Sequence, residues 1–271
     1  TASQEGHAEV AQALVNVKAN LNQKDADGNT ACICAAYNDH PEIVQLLTAA
    51  KANVLEGNNY KSTALHLASE ENNIEIADIL LIAKADPSTI NPDDAEQNSF
   101  HYAAKAGNHE IIKTLARKTK NGMDELDQFG SSPIFLAAEH NQDRTVAELI
   151  RLKANIDTFI FDAINFGWAN YLQLLSSAKA DFDEFRNSAD YITYGNEERQ
   201  GGERSSALGF TPVALAAAQD FHTALAIFIQ AKADINARSI GENRQSPIEI
   251  ATEEDNAGCI RLLLEAKAFP Q

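Results

Sequence analysis

Few side chains in this 271-residue chain are of types that do chemistry, and their spacing limits what they can do. Three cysteines are present. Cys32 and Cys34 stand in "TACICAA", too close for an ordinary disulfide and not a CxxC pair. Cys259 stands in "AGCIRLLL", an apolar helical run. All three read as small buried hydrophobes in a reducing compartment. His66 in "TALHLA" and His101 in "NSFHYA" have no third ligand in phase, so a backbone-bonding role outweighs a metal role. Glu70-Glu71 and Glu253-Glu254 are neighbours on helices, not carboxylates facing across a cleft. The chain contains no GxSxG, P-loop, GxGxxG or HExxH motif and no zinc-type Cys/His spacing. No catalytic residue, cofactor site or metal ligand set is assigned, and the chain reads as non-enzymatic.

The elements that would position any site follow from a repeat. Lys18-Ala-Asn, Lys51-Ala-Asn and Lys84-Ala-Asp recur at a spacing of 33, and the same "KA" returns at Lys153, Lys179, Lys232 and Lys267. Sixteen residues before each lysine stands an alanine: Ala2, Ala35, Ala68, Ala137, Ala163, Ala216 and Ala251. The same step from Ala103 reaches Thr119, so one repeat lacks the lysine. Four residues after each alanine the chain has Gly6, Asp39, Asn72, Gly107, Asn141, Gly167, Asp220 and Asp255. These three residue types tolerate positive φ best, which predicts a tight turn between two helices at the same place in every repeat.

The alanines close the motifs "TALHLA", "NSFHYA", "SPIFLA", "TPVALA" and "SPIEIA", and helical runs such as "IEIADILLIAKAD" follow. This pattern resembles the ankyrin repeat, with its T-P-L-H-x-A signature at about 33 residues, and the resemblance covers essentially the whole chain. It implies an all-α solenoid of stacked helix pairs, right-handed and curved, with β-turn or hairpin loops ("fingers") projecting to one side. Ser or Thr then N-caps the first helix, Pro suits its first turn, and the motif histidine bonds backbone at the turn. Ankyrin repeats normally end the second helix with Gly, where this chain has lysine. Either the lysine adopts positive φ at about 1 kcal/mol, partly offset by its charge near the helix C-terminus, or the helix end avoids that conformation. The unchanged helix length favours the first.

The resulting layout is a single array over 1–271. A partial repeat spans 1–20, and full repeats span about 21–53, 54–86, 87–121, 122–155, 156–181, 182–234 and 235–269. Lys153 to Lys179 is only 26 residues, so repeat 156–181 should lack a finger, the second helix of the preceding repeat running straight into its first helix. Lys179 to Lys232 is 53 residues, which places a long insertion at 183–209. That insertion is either a tolerated surface loop or an ordered, partner-binding one. The chain begins at Thr1, inside a repeat, so a longer parent chain is expected.

Binding, in the ankyrin resemblance, falls on finger tips and the inner-helix face. The finger positions include Asp27, Asn59, Tyr60, Gln128, Phe129, Leu208 and Phe210. The residues chosen as partner-binding are Tyr37, Tyr60, Phe129, Phe166 and Trp168 as aromatic anchors, with Glu70, Glu71, Glu139 and His140 around them. The formal net charge is −17, which argues against duplex nucleic acid or an anionic membrane and for a partner with a basic patch or peptide. No apolar run approaches the roughly 20 residues that cross a membrane. The expectation is a monomeric, cytoplasmic, non-catalytic scaffold that binds another protein and needs no cofactor. Its drifted motif is similar to that of ankyrin proteins that bacteria secrete into host cytoplasm. The alternatives are a recruiting array of a larger enzyme and a plain spacer.

Overall fold

A computed structural model describes residues 2–119, 121–183, 209–240 and 244–268. The expected long insertion therefore lies almost wholly outside the described residues. Among the described residues there are fifteen helices and no named strand. They are α1 (Ala8–Asn16), α2 (Ala31–Tyr37), α3 (Pro41–Ala49), α4 (Ala64–Glu70), α5 (Ile74–Ile82), α6 (Ser99–Ala106), α7 (His109–Lys118), α8 (Pro133–Glu139), α9 (Asp143–Arg151), α10 (Asp157–Asn165), α11 (Ala169–Ser177), α12 (Pro212–Ala218), α13 (His222–Ala231), α14 (Pro247–Glu253) and α15 (Ala257–Glu265). Contacts divide the chain into two compact units, Thr1–Ala154 and Asn155–Gln271.

In the first unit the inner helices α2, α4, α6 and α8 pack in sequence, and the outer helices α1, α3, α5, α7 and α9 pack in a second layer. In the second unit α10, α12 and α14 form the inner row and α11, α13 and α15 the outer. Each unit is thus a stack of helix pairs, the all-α solenoid architecture that the resemblance implies. The marker alanines show why the stack closes: Ala35, Ala68, Ala103, Ala137, Ala163, Ala216 and Ala251 all have 0% exposure. A larger side chain there would overpack two neighbouring helices at once.

Local chemistry starts the inner helices where expected, except α10, whose N-cap is Ile156 with no side-chain cap. Thr30 Oγ1 accepts from Ile33 N–H at 3.3 Å, Thr63 Oγ1 from His66 N–H at 3.4 Å, and Thr211 Oγ1 from Ala214 N–H at 3.2 Å. Pro133, Pro212 and Pro247 fill the first helical position. All eight turn residues, Gly6 through Asp255, have positive φ, between 54° and 82°.

The lysines resolve the same way. Lys18, Lys51, Lys84, Lys153, Lys179, Lys232 and Lys267 all sit at φ between 59° and 70°. Their N–H groups still close the helix end; that of Lys84 reaches Leu81 O at 3.2 Å, and the next N–H, of Ala85, reaches Leu80 O at 2.9 Å. This is the double closure of a Schellman-type end with lysine in glycine's place. The repeat without the lysine behaves differently. Thr119 is extended at φ −157°, and the left-handed residue is Gly122, at φ 89°.

One expectation needs correction. The helix before the short repeat does not run straight into the next one. It ends at Arg151, Lys153 turns left-handed at φ 64°, and α10 begins at Asp157. The intervening stretch is residues 152–156.

Candidate functional surface

Three fingers of the first unit are built on one plan. In each, an Asp or Asn side chain folds the loop over itself. Asp25 Oδ1 accepts from Asp27 N–H at 3.0 Å and Asn29 N–H at 2.8 Å. Asn58 Oδ1 accepts from Tyr60 and Ser62 N–H, both at 3.0 Å. Asp127 Oδ1 accepts from Phe129 N–H at 2.9 Å and Ser131 N–H at 2.8 Å. The fourth position is left-handed each time: Gly28, Lys61 and Gly130, at 78°, 61° and 74°. The third position, held outward by this fold, is Asp27, Tyr60 or Phe129.

Between the last two of these lies a longer finger, Asn91 to Gln97, carried by Ala95 and Glu96 at positive φ. Tyr102 of α6 anchors it from below. Asn91 Nδ2 donates to Tyr102 Oη at 2.9 Å, and Tyr102 stacks on His66 with ring centroids 5.1 Å apart. Burial and a hydrogen bond to Asp94 push the Tyr102 phenol well above its ordinary range. Sequence reading missed this anchor, because the Tyr falls where the motif has a variable residue.

Neighbouring fingers are tied edge to edge. Asn59 N–H donates to Asp27 O at 3.0 Å, its side-chain amide to Ala26 O at 3.0 Å, and Gln128 N–H to Ala95 O at 2.9 Å. The motif histidines complete the frame. His66 Nδ1 accepts from Thr63 N–H at 3.1 Å while Nε2–H donates to Thr89 O at 2.8 Å. His101 repeats this with Asn98 N–H at 3.3 Å and Ser131 O at 3.1 Å. Both rings have 0% exposure. Burial lowers both pKa values, that of His101 to about 4, so they are neutral structural groups.

At the far end of the inner helices a second set of contacts binds successive repeats. Asn73 Nδ2 donates to Ala36 O at 3.1 Å. Asn108 Nδ2 donates to Ser69 O at 2.9 Å and Glu70 O at 2.7 Å, and Asn256 Nδ2 to Ala217 O at 2.8 Å and Ala218 O at 3.0 Å. His40 Nε2 meets Gln4 O at 3.0 Å in the same role. These residues stand five after the marker alanine. They satisfy carbonyls that the short inner helices leave open.

On this frame Tyr37 is 57% exposed, at the end of α2, and Tyr60 is 66% and Phe129 41% exposed at finger tips. Glu70 and Glu71 end α4, and Glu139 and His140 end α8; all four are exposed. Burial, then the charges of Glu71 and Asp94, raise the Glu70 carboxyl, with Lys105 opposing. The negative charge there is only partly neutralised.

Phe166 and Trp168 belong to the second unit. Phe166 is 50% exposed and stacks on Trp168 at 4.9 Å, while Trp168 is half-buried and meets Tyr171 edge-on at 5.8 Å. Trp168 is thus the underlay and Phe166 the presented ring. The cysteines are buried, and burial raises the Cys32 thiol to about 12, far from a thiolate nucleophile at neutral pH.

Residues 1–91 and 100–186 match the family model for ankyrin repeats. No curated protein matches the chain.

Proposed function

Because the chain belongs to the ankyrin-repeat family, whose members are generally protein–protein interaction modules and typically non-catalytic, we propose that it is a monomeric scaffold binding a protein with a basic patch or peptide. The observation that carries this reading is the first unit's exposed set. Tyr37 and Tyr60 are open aromatic side chains on a rigid frame, and Glu70, Glu71 and Asp94 form a partly unneutralised acidic group on the same stack. A lysine or arginine from a partner would relieve that repulsion, and the aromatics would supply contact area at low entropic cost. Phe129, Glu139 and His140 extend the surface along the repeats. Phe166 on Trp168 offers a separate contact in the second unit. The net charge of −17 supports a basic protein over nucleic acid or an anionic membrane.

The test is retention of partners from cell lysate on the immobilised chain, compared with a Y37A/Y60A/F129A variant. Loss of the retained protein, and weakening by added salt, is the expected result. Unchanged retention by the variant would remove this surface from consideration. A role inside a host cell rests on the drifted motif with lysine at the helix ends. Detection of the chain in host cytosol would test it.

A further inference from the structure

We propose that Asp220, His222 and Cys259 of the second unit form a site for zinc or a similar divalent transition-metal ion. Their ligand atoms, one from each side chain, all lie within 4.8 Å of one another. His222 Nε2 and Asp220 Oδ1 are 3.2 Å apart. In a tetrahedral zinc site with ordinary bond lengths, N and O ligands lie about 3.3 Å apart, and S and N about 3.6 Å. One edge of that tetrahedron is therefore already set. Carboxylate, imidazole and thiolate form a ligand set suited to zinc, with one position left for water.

The three residues come from separate places that the repeat brings together. Asp220 is the left-handed turn residue between α12 and α13, at φ 54°, and His222 is the first residue of α13. Cys259 lies in the first turn of α15, which packs against α13. In three earlier repeats the slot of Cys259 holds Ile43, Ile76 and Ile111, fully buried aliphatic residues, and in the others Val10, Thr145, Tyr171 and Ala224. Only in the last repeat does it hold a thiol, and there the preceding outer helix begins with histidine.

Gly258 is a second, independent sign that the ring is placed. It is the one glycine inside any described helix, in a slot that holds Glu9, Glu42, Glu75, Glu110, Arg144, Asn170 and Thr223 elsewhere. A Cβ at this position would lie 1.7 Å from His222 Nε2. The glycine is what lets the imidazole lie against α15 beside the thiol. A plain His222–Asp220 ion pair on the surface would not need the glycine; Cys259 itself is fully buried, with its Sγ 3.9 Å from Ala216 O.

Binding is a proton-for-metal exchange. The S–H bond of Cys259 breaks, its proton goes to solvent, and a sulfur–metal bond forms without electron transfer. Thiolate and carboxylate then balance the dication, and imidazole binds neutral.

The test is titration of the metal-free full chain with Zn²⁺ by calorimetry, and with Co²⁺ by absorption spectroscopy. Expected are one ion per chain and, with Co²⁺, an intense thiolate-to-cobalt band with the visible bands of four-coordination. C259S, which keeps the volume of the slot, and H222Q, at an exposed position, should each weaken binding at least about tenfold, and C259S should abolish the thiolate band. G258A keeps all three ligands yet should weaken binding similarly by displacing the ring. Far-UV circular dichroism establishes that each variant is folded. No stoichiometric Zn²⁺ binding, a Co²⁺ spectrum without the thiolate band, or wild-type affinity in any folded variant would overturn the site.

Discussion

His101 should make the stability of the protein fall in mildly acidic solution, and the size of the effect follows from its surroundings. The ring has 0% exposure, its Nε2–H is committed to Ser131 O at 3.1 Å, and its Nδ1 accepts from Asn98 N–H. A proton added at Nδ1 would find Asn98 Oδ1 at 2.9 Å, but burial outweighs that contact and holds the pKa at about 4. In the unfolded chain it returns to 6.5. Below pH 6.5 the unfolded chain takes up a proton that the folded protein refuses until about pH 4. The stabilisation is therefore complete above 6.5 and is lost as the pH falls from 6.5 to 4. A fall in pKa from 6.5 to about 4 corresponds to about 3 kcal/mol. Carboxylates titrate in the lower part of this window, so the clean measurement is a difference. Urea denaturation of wild type and H101Q, followed by circular dichroism at pH 7.5 and 4.5, isolates the histidine. At pH 7.5 the variant should be the less stable. At pH 4.5 the gap should shrink by about 2–3 kcal/mol, because glutamine does not titrate. A gap of the same size at both pH values would refute the buried-neutral assignment.

Two further outcomes follow from the backbone. Lys84→Gly relieves a left-handed residue at a cost in unfolded-chain entropy and in charge near the helix end, leaving a net gain of about 0.5 kcal/mol. Lys84→Val, β-branched at φ 70°, should instead lose at least about 1 kcal/mol, so the two thermal midpoints should move in opposite directions. Asn108→Ala removes both hydrogen bonds to the end of α4 and should cost about 1–2 kcal/mol by urea denaturation, with the helix content of the folded state unchanged.

Much of this fold was legible because its demands are local. A residue that must take positive φ is drawn from a short list, so Gly6, Asp39 and Asn72 announced their turns without any contact being known. The lysines were harder, since only the constant helix length pointed to a left-handed residue with a full side chain. Thr63, Thr211 and the motif histidines were readable for the same reason: their partners lie within a few residues or on the adjoining finger. Contacts across repeats were not legible. Asn73, Asn108 and Asn256 look like ordinary turn residues beside Asn72, Gly107 and Asp255, and nothing local says that their amides reach back nearly forty positions. Asn91 and Tyr102 were hidden likewise, as was the meeting of Asp220 and His222 with Cys259. For the candidate surface, the spacing indicated which side chains stand at finger tips and helix ends. It did not reveal that Trp168 lies beneath Phe166, because that depends on how a ring packs against its own helix pair.

The amide clamps also give the stack a direction. The open carbonyls of α4 find their donor only in Asn108 of the following repeat, and the Nε2–H groups of His66 and His101 find their acceptors only in the fingers that come next. An inner helix is thus finished by its successor and not by its predecessor. A chain shortened from its C-terminal side would uncover a helix with unanswered polar groups at both of its ends. One shortened from its N-terminal side would expose donors, the spare amide of the first remaining clamp and a finger N–H such as that of Asn59 or Gln128, which water satisfies.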